Sequence, residues 1–155
     1  MIKKSLIIIL CIILSTIILG YSFSNSKIVR IKISDRIYTF ELAQTQEARE
    51  KGLMFRKALD QDSGMFFIFE KEDYLIFYMK DTLIPLDIAF IDSKLRIVDI
   101  QQMEPLDTTF IVSKAKALYA LEVNRGFFEE AGIKLGDKIE PITALKGIED
   151  ISSSN

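Results

Sequence analysis

Between Gly64 and Ile91 the chain runs Gly-Met-Phe-Phe-Ile-Phe, a short charged break, then Tyr-Leu-Ile-Phe-Tyr-Met-Lys-Asp-Thr-Leu-Ile-Pro-Leu-Asp-Ile-Ala-Phe-Ile. Aromatic and branched apolar residues at this density suit a pleated, half-buried surface, so the stretch reads as strands at the centre of a β-rich core. Lys80 and Asp87 are embedded in that apolar text. An ion among apolar residues is either paired with an opposite charge or part of a site, because burying it alone is too costly.

The flanking sequence extends the same pattern. Ile28, Arg30 and Lys32 alternate with Val29, Ile31 and Ile33, the mark of a strand with one wet face. Ser34-Asp35 suits a turn, and Ile37 to Leu42 returns as a second strand. Thr45 to Lys51 is polar and helix-friendly, with Thr45 to cap it, Glu47 in its positive first turn and Gly52 to end it. Asp60 to Gly64 is a loop whose acid spacing lacks the third acid and distal glutamate of a calcium site. Strands are expected over Met65–Phe69 and Leu75–Met79, with Glu70 to Asp73 as their connection. Ile88–Ile91 and Leu95–Ile100 form a hairpin about Asp92-Ser93-Lys94, and Gln101 to Thr108 is irregular around Pro105. Ala117 to Val123 is a strand, Asn124 caps a short helix over Gly126–Ala131, and a last strand follows Gly136-Asp137. Many short strands with two small helices imply a mainly β (α+β) fold, a compact β-barrel or sandwich, behind an apolar N-terminal leader helix.

That leader occupies residues 1–24. Lys3 and Lys4 precede an almost wholly apolar run from Ser5 to Gly20, followed by small and polar residues. This is the plan of a secretory signal peptide, and counting through Phe23 also allows a membrane anchor. In both cases Lys3 and Lys4 stay inside and the domain, residues 25–145, lies outside the cytoplasmic membrane: periplasmic, secreted or anchored. Residues 146–155, ending Ser-Ser-Ser-Asn, form a polar tail. Without Lys3 and Lys4 the formal charge falls from −2 to −4, a poor match to nucleic acid. The chain has no His, which excludes Ser–His–Asp and Cys–His catalysis and histidine metal sites, and its single Cys11 lies in the leader. No cofactor and no metal centre is expected.

Within the strands, period-2 alternation places Asp87 with Ala89 and Ile91, and Glu122 with Leu118, Ala120 and Asn124. Each carboxylate therefore needs a basic partner or a raised pKa. Arg56 and Lys80, each just after an apolar run, are the candidates, and Arg56 can clamp a carboxylate through two hydrogen bonds. The four are either two structural ion pairs or the lining of a polar-bottomed pocket that includes Asn124. Asp87 and Glu122 could also serve as an acid–base carboxylate pair. Ser113-Lys-Ala-Lys116 lacks the companion motifs of a serine–lysine enzyme. Met54, Met65 and Met79 suit core filling better than copper binding.

These same residues carry a family likeness. Gly-Leu-Met-Phe-Arg56, Gly64-Met65 with its aromatic run, Phe77-Tyr-Met-Lys80, Thr82-x-Ile-Pro-Leu-Asp-Ile88 and Leu121-Glu-Val-Asn with Gly126-Phe127 closely resemble the bacterial and archaeal family catalogued as domain of unknown function 192. The resemblance spans about Val29 to Ile139 and implies a compact, mostly β fold, often behind an export leader, with no established activity. It places the recurrent polar positions at Arg56, Lys80, Thr82, Asp87, Glu122 and Asn124. The sequence departs at Tyr78, where the family usually has tryptophan, at Asp81, where asparagine is common, and near Lys94, where a glycine is usual. The leading expectation is a small extracytoplasmic binding or accessory module rather than an enzyme. Its shallow pocket would recognise a polar or anionic group through Arg56 and Lys80, its partner being a small polar ligand or an envelope component. The alternatives are a histidine-free hydrolase using Asp87 and Glu122, or a purely structural, partner-binding domain.

Overall fold

A computed structural model describes residues 27–142. The expected leader and polar tail lie outside the described residues. Among those described, no helix is long and apolar enough to cross a membrane.

The elements are β1 (Ile28–Ile33), β2 (Arg36–Ala43), α1 (Gln46–Lys51), β3 (Gly64–Asp73), β4 (Ile76–Phe77), β5 (Leu86–Ile91), β6 (Ile97–Met103), β7 (Ile111–Val112), β8 (Ala117–Asn124), α2 (Phe127–Glu130) and β9 (Ile139–Pro141). Seven strands form one sheet in the order β6-β5-β8-β3-β2-β1-β9, and β4 pairs with β7 in a separate ribbon. The pairings in the large sheet are antiparallel except β2 with β3, which the α1 crossover makes parallel. The fold is mostly strand, as the apolar alternation requires.

The sheet is curled, and its two edges touch. An isolated bridge joins Arg96 to Lys138, and Ile97 N–H donates to the Asp137 carbonyl (2.9 Å) while Ile139 N–H donates to Leu95 (2.9 Å). Among the described residues β6 and β9 do not pair beyond this corner, and the sheet curls as a half-barrel. One apolar cluster unites Val29 and Ile31 of β1, Ile97 of β6, Tyr119 and Leu121 of β8, Ile139 of β9, and Phe127 and Phe128 of α2. Residues from both edges share this cluster, so it fills the concave face. The outer face carries Phe67, Ile88, Phe90 and Ala120, covered by Leu53, Leu75, Phe77 and Met79. α1, the segment after it and the β4–β7 ribbon therefore form a second layer over the middle of the sheet.

Local rules explain several boundaries. Thr45 Oγ1 accepts from Ala48 N–H (3.2 Å) to start α1, and Gly52, at φ 48°, ends it. The β5–β6 connection has Leu95 at φ 64°, and Asp92 Oδ1 accepts from the Lys94 and Arg96 N–H groups (2.9 and 2.8 Å). The hairpin thus forms without a glycine, its turn held by Asp92.

Four expectations are corrected. Glu70 to Asp73 is not a connection but the end of β3, which continues beside β8 as far as the Asp73–Ala117 pair. Leu75–Met79 contributes only the two-residue β4, and β6 extends through Gln101 to Met103. Asn124 does not cap α2. Gly126 occupies that position, in a left-handed conformation.

Candidate functional site

Asp87 and Glu122 lie on opposite faces of the sheet. β5 and β8 are in register with Asp87 beside Val123 and Ile88 beside Glu122, and paired residues share a face. Asp87 therefore projects into the concave cluster, and Glu122 into the outer layer. They cannot act as an acid–base pair on one substrate, and the hydrolase alternative that needed them together falls. Asp87 Oδ2 accepts from Gly126 N–H (2.8 Å), fixing the turn that delivers Phe127 and Phe128 to the core. Burial pushes the Asp87 carboxyl up, against the Gly126 hydrogen bond and the attraction of Arg125, and its Oδ1 has no hydrogen-bond partner among the described residues.

The expected basic partners are elsewhere. Arg56 forks onto Glu41 of β2, through Nη1 to Oε1 and Nη2 to Oε2 (2.8 Å). That hydrogen bond raises the guanidinium pKa above its ordinary value. Lys80 is exposed, and among the described residues no ion pair engages it. Asn124 spends its amide on loop carbonyls, donating to Leu59 (3.2 Å) and Asp60 (2.9 Å). Of the six predicted positions, the structure brings Glu122 and Thr82 to one cleft. Arg56 lines an adjoining hollow with Glu41 and Met65. The two depressions share Lys51 and Gly52 as their divide.

The cleft that holds Glu122 has a volume of about 210 Å³ and lies between α1 with its trailing Gly52-Leu53-Met54 and the β4 segment. Phe67 and Phe77 form its apolar wall, their rings edge to face at 5.2 Å. Glu122 is 5% exposed. Its Oε2 would stand 3.9 Å from a Cβ placed on Gly52, so the bare glycine leaves the carboxyl reachable. Among the described residues no donor or cation engages that carboxyl, and burial alone pushes its pKa up to about 8. Glu122 is consequently neutral for the most part at pH 7. Thr82, also buried, donates its hydroxyl to the Lys80 carbonyl (3.3 Å). The remaining charges at the rim are Arg49, Glu50 and Lys51. Arg49 is spent on the carbonyls of Gln44 and Ile68 and on Glu70, with Phe69 beneath its guanidinium.

Two of the sequence motifs meet over this cleft. Phe55 N–H donates to the Asp81 carbonyl (2.8 Å), with Phe55 at φ 65° and Asp81 at φ 56°. Aspartate tolerates that left-handed conformation and phenylalanine tolerates it poorly, so strain is held where Gly-Leu-Met-Phe-Arg56 joins Tyr-Met-Lys-Asp81. Sequence reasoning missed Glu41 as the partner of Arg56 and missed Gly52, Phe67 and Phe77 as site residues. The signal for Glu41 was present: it is an acid within the alternating apolar text of β2.

Comparison with known proteins places the chain. The model of the DUF192 family, described as an uncharacterized ACR, matches residues 28–141. A UPF0127 protein of Pyrococcus horikoshii is 32% identical over 100 residues, which is 61% of this chain and 80% of that one. A crystal structure of a protein of unknown function from Novosphingobium aromaticivorans is 35% identical, with a TM-score of 0.71 over 77% of this chain and 89% of that chain. A Sinorhizobium meliloti structure, described provisionally as a transcription regulator, is 32% identical with a TM-score of 0.72, covering 75% of this chain and 95% of that one.

Proposed function

The chain belongs to the DUF192 family of uncharacterised proteins, and from that premise we propose that it is a small extracytoplasmic binding module whose ligand inserts a polar group into the Glu122 cleft. One observation carries the proposal: a carboxyl 5% exposed, without a partner among the described residues, faces an open cleft lined with aromatic rings. An unpaired buried carboxyl weakens the fold, and a structural ion would have been given a partner. A group kept at that cost, in a concave and largely apolar site, fits ligand recognition.

Anion recognition through Arg56 and Lys80 has less support. Both guanidinium Nη atoms are committed to Glu41, and Lys80 is not part of the cleft lining. Catalysis by an Asp87–Glu122 pair has no geometric support, because the two carboxyls lie on opposite faces of the sheet.

The extracytoplasmic location rests on the basic-then-apolar start of the sequence. Two measurements test the proposal. A ligand screen followed by amide chemical shifts should move Gly52, Phe67, Phe77 and Glu122 together, and no compound doing so would defeat it. Protease added to spheroplasts should degrade the domain where it stays with the cell, and full protection there, with release only on lysis of the cytoplasmic membrane, would place it inside.

A further inference from the structure

The two polar side chains at the base of the cleft, Glu122 and Thr82, can both accept a hydrogen bond, and among the described residues neither receives one. The Thr82 hydroxyl has spent its hydrogen on the Lys80 carbonyl, leaving lone pairs. Glu122, once ionised, presents two acceptor oxygens and no donor. Among the described residues no fixed cation neutralises it: Arg49 is held by Glu70, Arg56 by Glu41 across the Lys51–Gly52 divide, and Lys51, exposed at the rim, does not offset the effect of burial on the carboxyl. The walls are the rings of Phe67 and Phe77 with Ile76 alongside. Such a site matches a compact group rich in donors and carrying positive charge, on a short apolar body.

We propose that the cleft takes a protonated primary amine, its ammonium group seated against the Glu122 carboxyl and Thr82 hydroxyl and its carbon chain against Phe67, Phe77 and Ile76. The assignment rests on the binding reading above and names the class of ligand. An ammonium brings three N–H donors, and its attraction to aromatic faces adds to a charge-assisted hydrogen bond in a water-poor setting. A ligand carboxylate would instead bring a second acid against a carboxyl that, among the described residues, no cation engages. A neutral amide can pair with protonated Glu122, its carbonyl accepting and its N–H groups donating, but it brings no charge to hold the carboxyl in its ionised form. The volume of about 210 Å³ admits a chain of a few carbons and excludes a bulky ligand.

Seating the cation ionises Glu122. The carboxyl proton leaves to solvent, and the ammonium keeps its own three hydrogens. Empty, the carboxyl titrates near pH 8 through burial alone, with no contribution from surrounding charges. The titratable groups that approach from the packed elements are Arg49, Glu50 and Lys51 on α1, Tyr78 after β4, and the Glu41–Arg56 pair between β2 and the loop. Affinity should therefore rise about tenfold per pH unit from pH 6 toward 8 and then level off, one proton being released per amine bound below that range.

The test is calorimetric titration of the full-length protein with n-butylammonium chloride, sodium butyrate and butyramide, each in two buffers of different ionisation enthalpy. The expected result is butylamine binding with close to one proton released at pH 7, weakened at least tenfold in E122Q and several-fold in T82V, with both variants folded by circular dichroism. Stronger binding of butyrate or butyramide overturns the amine assignment and leaves the cleft as a binding site. Butylamine binding that is unchanged in E122Q, or that releases no proton, overturns it as well. Silence from all three probes, while some compound of the wider screen moves the cleft resonances, also removes the amine and keeps the site. Silence from the whole screen removes both.

Discussion

Glu122 and Asp87 are both buried carboxyls on neighbouring strands, yet they should respond to mutation with opposite signs. Glu122 has a folded-state pKa of about 8, above its ordinary value, because burial disfavours the charged form. Its stabilising contribution is complete below about pH 4.5 and is lost as the pH rises through 8, where the unfolded chain is ionised and the folded one resists ionisation. The loss is on the order of 3–5 kcal/mol, from about 1.4 kcal/mol per unit of displacement. Glu122→Gln supplies the shape of the neutral acid without the titration. It should raise the melting temperature by several degrees at pH 7.5 and by almost nothing at pH 4.5, measured by calorimetric scans across that range. A drop at pH 7.5 would reveal an ionised, paired Glu122 and refute the neutral state. Asp87→Ala should instead destabilise by about 1–3 kcal/mol at neutral pH, since it strands the Gly126 N–H that Asp87 accepts from. Because Asp87 faces the concave cluster, the same variant should leave ligand-induced shifts in the Glu122 cleft in place. Alternation showed the face of each acid within its own strand. It could not show that the two faces differ, because that depends on the register between β5 and β8, which no local signal in either strand contains.

Elements whose ends are decided locally were readable in advance, and those decided by a distant neighbour were not. The alternating β1, the Thr45 cap and the Gly52 stop of α1 fall where the sequence places them. The charged Glu70–Asp73 segment misleads because β3 loses register with β8 after Ile68 and regains it at Asp73, so the strand runs on while its side chains meet water. Asn124 misleads for a similar reason: its side chain finds carbonyls of the Leu59–Asp60 loop, more than sixty residues away, and leaves the helix cap to Gly126. Gly64 is where an element boundary and the site depend on each other. A Cβ there would stand 2.3 Å from the Glu122 carbonyl and 2.8 Å from Val123 Cγ1, so β3 and β8 can approach only across a glycine. Gly64→Ala must push the strands apart at the Gly64–Val123 pair, next to the Met65–Glu122 pair that carries the cleft carboxyl. It should cost about 2–4 kcal/mol and displace the amide resonances of Glu122 and Met65, read by denaturant titration and by NMR. A loss of under about 0.5 kcal/mol would mean that the strands are not in contact there.

At the scale of the molecule, the decisive fact is that the sheet curls without closing. Composition and strand count indicated a barrel or sandwich. Whether the outer strands meet depends on twist and on the length of β9, which has only three residues. Among the described residues, contact between the edges is confined to the corner at Arg96 and Lys138, supported by hydrogen bonds from the Ile97, Gly136 and Ile139 amides. The interior strands β5, β8 and β3 are paired on both sides, and β8 carries Glu122 at the sheet centre. Fraying should start at the corner, where few bonds must break and little apolar surface is exposed, and should reach β8 only with global unfolding. Hydrogen exchange by NMR should therefore show the Ile97, Gly136 and Ile139 amides exchanging together and orders of magnitude faster than those of Ala120 and Leu121. Protection at the corner equal to that of β8 would signify a closed barrel. The ligand adds a second contrast. Butylamine bound against Glu122 should slow exchange in β8, in Gly52 and in the β4 segment while leaving the corner unchanged, because the cleft lies over the outer face and the corner joins the sheet's two edges. Equal slowing at both places would mean that the half-barrel closes when the cleft fills, coupling its edges to its site.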